Sequence, residues 1–228
     1  MSILKILSEG LSKSIEQEHF QPLLLSCIQA FAEKGVQVDR MQIPMTKVAG
    51  LRHPIFAIIL MTYKDGEVNI IFRTHEEFDI DHKSNHLKKT PYSEVLNSEP
   101  NIYRVSLQSS NLPYNLLVEL KSEGFSDYAC CNMKLPHREQ QLFSIVTRNP
   151  SGFPENIEAI LSEFLLPFSI CLFGVYQSSV TKTLATTYLG DKTGRNVLAG
   201  SIHRGTQNTI DAGIVFCDVR GFTVVKFS

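Results

Sequence analysis

Almost no net charge marks this sequence: 22 lysines and arginines stand against 23 aspartates and glutamates, a formal balance of −1. With a pI near 6.7, the chain has no general attraction to nucleic acid or to an anionic membrane, so neither is an expected partner. Long apolar runs are missing as well. Those at 55–61 and 164–175 are too short or too interrupted to span a bilayer. The N-terminus lacks the charged start, apolar core and small-residue cleavage site of a secretory signal. Five cysteines are an odd count without framework spacing, which excludes a disulfide scaffold and fits a reducing compartment. The expected location is the cytoplasm.

Signatures of common catalytic centres are absent too. There is no G-x-S-x-G elbow for a nucleophilic serine. The run Gly190-Asp191-Lys192-Thr193-Gly194 lacks the spacing of a phosphate loop and does not follow a strand. What the 228 residues do have is 43% apolar content, ample for a packed core.

Periodicity gives the elements. Apolar positions at helical spacing predict helices over 3–15 and 20–34, the second with Pro22 in its first turn and Gly35 as its stop. Alternation over 36–45 predicts a half-buried strand. The pair Asp65-Gly66 favours the positive φ angles of a type I′ turn and joins strands at 55–63 and 67–73 in a hairpin. The charged stretch 74–99 reads as a connecting segment or lid, with short helices at 85–89 and 91–97. A strand at 102–107, a helix at 112–123 ended by Gly124, and strands at 128–135 and 142–147 follow. After the break Asn149-Pro150-Ser151-Gly152, a helix runs over 154–188, and Pro167 inside it should kink or split it.

His75, His82 and His86 share one segment with Glu76, Glu77, Asp79 and Asp81, and an i,i+4 histidine pair suits a metal. The competing reading is a solvated loop, since no third ligand is fixed by the pattern. Cys130 and Cys131 are neighbours in a strand and point to opposite faces. They share no metal or disulfide; one is expected in the core, the other at the surface or in a pocket.

The run Tyr188-Leu189-Gly190-Asp191, Gly194-Arg195-Asn196 and on to Phe216-Cys217-Asp218-Val219-Arg220-Gly221-Phe222-Thr223 resembles the entry into the catalytic domain of class III nucleotidyl cyclases, specifically bacterial adenylate cyclases with a soluble sensory region. In that family this block supplies the first metal-binding aspartate, and Asp218 occupies its position. The resemblance implies that the second carboxylate and the base-reading residues lie beyond Ser228. A lone Asp218 cannot hold the two metals of the reaction, so it is expected to be vestigial and unoccupied, and no cyclase activity or cofactor is expected of this polypeptide. Gly194, Gly200 and Gly205 are expected in turns leading to the cyclase strand, which would cover 210–225.

Upstream, Gly124-Phe125-Ser126-Asp127-Tyr128 and Ser151-Gly152-Phe153 resemble landmarks of the sensory region of those cyclases, and the order of elements is similar to a GAF domain. The implied fold is α+β: a GAF-like antiparallel sheet at 1–153 with helices on one face, a closing or signalling helix at 154–188, and at 189–228 a linker and the first strand of an incomplete cyclase domain. In such a fold the terminal helices pack together behind the sheet and the last runs out toward an effector. A pocket between the sheet and its covering segments would be lined by Phe72, Arg73, His75, Tyr103, Tyr128 and Cys130, with Arg73 or His75 meeting an anionic group; the same residues would equally close a core or a dimer face. The implied function is regulatory: a small molecule is sensed and the signal passes through a helical dimer interface. The alternative is a ligand-free module for homodimerisation or protein interaction. A third reading has the 211–225 strand dock onto a full-length cyclase.

Overall fold

The computed structural model describes residues 2–46, 56–74, 90–96, 102–134, 140–200 and positions 213, 215 and 216, with backbone alone at 45, 46, 56–59, 73, 74, 134 and 140. Two helices open the chain, α1 (Ile3–Glu16) and α2 (Gln21–Glu33). The Ser2 hydroxyl caps α1 by accepting from the Lys5 amide at 3.3 Å, satisfying one of the donors a helix start leaves open. Ile3, Ile6 and Leu7 form its buried stripe. Gly10 lets α2 approach closely, because a Cβ there would lie 3.2 Å from the Leu23 Cα and 2.3 Å from the Ser26 hydroxyl. Gly35 at φ 73° ends the second helical stretch where the sequence places its stop.

Strands β1 (Arg40–Thr46), β2 (Phe56–Lys64), β3 (Glu67–Thr74), β4 (Ile102–Ser106), β5 (Asp127–Lys134) and β6 (Gln140–Thr147) form one antiparallel sheet in the order β3-β2-β1-β6-β5-β4. The Asp65-Gly66 turn takes positive φ at both residues, 52° and 93°, and sets Lys64 opposite Glu67, as its composition predicts. Helices α3 (Tyr92–Leu96) and α4 (Asn115–Ser122) lie in the connections on either side of β4, and α5 (Ile157–Leu189) follows β6.

Strand alternation divides the interior in two. Met41, Ile43, Met61, Ala129, Cys131, Met133, Phe143 and Ile145 face α1, α2 and α5. Tyr128, Cys130, Leu142 and Val146 face the other way, against Tyr92 and Val95 of α3 and Leu117 and Leu120 of α4. Helices therefore cover both faces, a correction to the one-sided arrangement: the short α3 and α4 also carry apolar stripes, and the apolar outward residues of β5 and β6 need cover. Cys130 and Cys131 do point apart, but neither reaches the surface, since each fills one of the two cores at 1% and 0% exposure.

The long helix α5 is continuous through Pro167. A proline removes one amide donor, yet Phe164, Phe168 and Leu172 on either side are locked into the core, so packing holds the helix as one piece. By length and composition α5 is long and apolar enough to cross a membrane, with a window of mean hydropathy 1.8, but half of that window is buried inside the fold, as in a core helix. Beyond it, Gly190 at φ 79° reverses the chain into α6 (Asp191–Leu198), which lies back along α5. Gly194 lies within this helix rather than in a turn: a Cβ there would sit 2.7 Å from the Ala185 carbonyl, so its smallness permits backbone-to-backbone contact. Gly200, at φ 89°, does sit in the turn that ends α6. Of the expected 210–225 strand only positions 213, 215 and 216 are described; they lie in no regular element, with Val215 and Phe216 exposed at 82% and 95%.

Candidate functional site

The sheet face beneath α3 gathers more buried polar groups than a packed core needs. Period-two alternation sends Tyr128, Cys130 and Asn132 of β5 to this face, with Ser144 of β6 opposite Cys130 and Tyr103 of β4 on its other side. Tyr128, Cys130, Asn132 and Ser144 are at most 5% exposed. Side chains tie α3 to this floor. The Tyr92 and Ser144 hydroxyls share a hydrogen bond of 2.8 Å, the Cys130 thiol donates to the Pro91 carbonyl at 3.5 Å, and the Asn132 amide donates to the Val95 carbonyl at 3.4 Å. At the rim, Tyr114 donates to the Glu94 carboxylate at 2.5 Å and meets the Ser93 hydroxyl at 3.0 Å.

Among the described residues, two polar atoms in this floor have no partner in full hydrogen-bonding geometry: the Tyr128 hydroxyl and the Asn132 carbonyl oxygen. The Cys130 thiol and the Ser144 hydroxyl lie near enough to the Tyr128 hydroxyl to act on its ionisation as weak hydrogen-bond partners, but neither contact has the geometry of a formed hydrogen bond. Leaving such a group buried and unpaired costs about 1–3 kcal/mol, which a fold tolerates when the group serves something else. Tyr128 and Asn132 are four residues apart on one strand, so their backbone positions are roughly 13 Å apart along it.

The floor is electrically neutral around pH 7. Burial pushes the phenols of Tyr92 and Tyr128 well above their ordinary range. Burial likewise pushes the Cys130 thiol up to about 12, against a smaller opposing effect of Tyr128. Tyr103 is raised by burial and then by the Glu94 carboxylate, and Tyr114 chiefly by its hydrogen bond to Glu94. Thiolate, not thiol, is the reactive form. Iodoacetamide at pH 8 is therefore expected to leave Cys27, Cys130 and Cys131 unmodified in the folded protein and to label all three in denaturant, as peptide mass mapping would read.

The structure brings Tyr103, Tyr128 and Cys130 together. Phe72 is not with them: it pairs with Ile59 on β3, at the far edge of the sheet, and alternation puts it on the α1–α2 side, 42% exposed. Arg73 lies in β3 opposite Ile58, with its side chain outside the description. His75, His82, His86 and Asp218 fall outside the described residues. Among the described residues, no group of three or more histidines, cysteines or acids could hold a metal ion. Asn132 and Ser144 escaped the sequence reading although alternation places them beside Cys130. Tyr92 gave no signal, since only the tertiary position of α3 brings it there.

A concavity of about 580 Å³ lies elsewhere, between α1, α5 and α6, lined by Ser14, Ser178, Ser179 and Thr186 and bordered by the Glu18–Lys182 ion pair. Its polar groups are already engaged: the buried Ser14 hydroxyl accepts from the Leu23 amide at 2.9 Å and the Thr186 hydroxyl donates to the Lys182 carbonyl at 3.0 Å. The α3 face is the stronger candidate because two of its buried polar atoms have no hydrogen-bond partner among the described residues. No protein-family model matches the chain, and no curated protein matches it in sequence.

Proposed function

We propose that this chain is a regulatory domain of the GAF-like type, related to the sensory region of an adenylate cyclase and without cyclase chemistry of its own. It takes a small neutral molecule between α3 and the sheet and passes the change along α5. The observation that carries the reading is the pair of buried, unanswered polar atoms on Tyr128 and Asn132. A ligand that accepts a hydrogen bond at one end and donates one at the other would satisfy both. The packing of α1, α2 and α5 together behind the sheet supports the GAF-like assignment.

A Tyr128→Phe variant tests the reading. Without ligand, removing an unpaired buried hydroxyl should leave stability unchanged or raise it by up to about 1 kcal/mol. In a thermal-shift screen of nucleosides, purines, amides and other neutral metabolites, wild type should gain stability from at least one compound and the variant should not. A screen with no hit, or a hit equally effective on Tyr128→Phe, would count against it.

The second reading, a homodimerisation module, is favoured by α5 alone. Leu166, Ile170 and Leu184 are exposed at 63%, 52% and 40%, apolar surface on α5 that a second copy of the chain would cover. Under this reading, light scattering gives a dimer at micromolar concentration and a monomer after Leu166→Glu with Ile170→Glu. A monomeric wild type would rule it out.

A further inference from the structure

We infer that the Arg104–Asp127 ion pair couples the state of the α3-side site to the start of α5, an inference that rests on the ligand-binding reading above. Two pairs of chain neighbours make the connection. Tyr103 faces the site while Arg104 faces the α5 side; Tyr128 faces the site while Asp127 faces the α5 side. Whatever displaces the site residues by a fraction of an ångström therefore moves their neighbours on the opposite face.

On that opposite face the two side chains hold the entry to α5. The Arg104 guanidinium donates to Asp127 Oδ2 at 2.7 and 3.1 Å, to the Phe153 carbonyl at 2.7 Å and to the Pro154 carbonyl at 3.2 Å. The same Asp127 oxygen accepts from the Phe153 amide at 3.0 Å, while the other accepts from the Tyr128 amide at 3.0 Å. Gly152 makes the approach possible: it sits at φ 72°, and a Cβ there would lie 2.7 Å from Asp127 Oδ2. Ser126 fixes the turn from the far side by donating to the carbonyls of Thr147 and Asn149 at 3.0 and 2.5 Å. The residues just before the signalling helix are thus held by side chains on the two strands that also carry Tyr103 and Tyr128. A purely structural tie needs only Asp127 and the Phe153 amide; the fork of Arg104, anchored in the edge strand β4, adds a link between that edge and the helix.

The test is a double-mutant cycle read by amide hydrogen exchange on the full chain, with no ligand required. Arg104→Gln should speed exchange of the amides over 153–161 by about tenfold. Tyr103→Ala, a change on the site side, should speed the same amides at least threefold in the wild-type background and have little effect in the Arg104→Gln background. Equal effects of Tyr103→Ala in both backgrounds would overturn the coupling. Should Arg104→Gln fail to fold, Arg104→Lys, which keeps the charge but loses the fork, serves in its place with the same criterion. A failed cycle leaves the Tyr128→Phe result untouched, and an empty ligand screen leaves the cycle untouched, so the two ideas fail separately.

Discussion

Asp127→Ala is expected to destabilise the domain by about 3–5 kcal/mol, because removing one partner of a buried ion pair leaves the other charge and its hydrogen-bonding neighbours uncompensated. The Asp127 side chain is 3% exposed and that of Arg104 28%. The lost carboxylate strands the Phe153 amide as well as the guanidinium. For a chain of this size the fall in Tm should be roughly 10 °C. Arg104→Ala should cost a comparable amount, because it leaves the Asp127 carboxylate buried at 3% exposure without its cation, held only by the Phe153 and Tyr128 amides. A decrease below about 1 kcal/mol for Asp127→Ala by denaturant unfolding would show that the latch contributes little, and would remove the structural basis of the coupling to α5.

Phe164→Ala is expected to cost a similar 3–5 kcal/mol. Phe164 is 1% exposed, with its ring centroid 4.5 Å from Phe31 of α2, 5.0 Å from Phe168 and 6.1 Å from Phe143 of β6. These rings link α2, β6 and α5 in one aromatic stack, and truncation leaves a cavity bounded by groups that are themselves held on three elements. Phe164→Leu keeps most of the volume and should lose less than half as much. The comparison also decides what α5 is. If this apolar helix served as a detachable membrane anchor, the melting of the rest would not feel the change. A loss of several kcal/mol makes it a structural member of the core.

Much of this architecture was legible in local sequence. Asp65-Gly66 dictated a hairpin, Gly35 ended a helix, and alternation sent Cys130 and Cys131 to opposite faces, because each depends on backbone sterics within a few residues. What the sequence concealed depends on distant partners. Pro167 reads as a break, yet the phenylalanines beside it are gripped by α2 and β6. Gly194 reads as a turn former, yet its lack of a side chain serves contact with Ala185. Phe72 and Tyr103 look alike as strand aromatics; only the sheet order separates them by the full width of the sheet. Arg104 drew no notice because its partners at Asp127, Phe153 and Pro154 meet it only after β4, β5 and the start of α5 are assembled.

The two halves of the interior are built to unequal strength. Among the described residues, one side is sealed by α5 with its 33 residues together with α1 and α2; the other rests on helices of five and eight residues, too short to persist without their packing. Partial opening of the thin side should therefore need less free energy than melting of the whole. On the ligand-binding proposal, a guest would reach Tyr128 by lifting α3 while the thick side keeps its form, and the frequency of that lifting would set a ceiling on how fast the site fills.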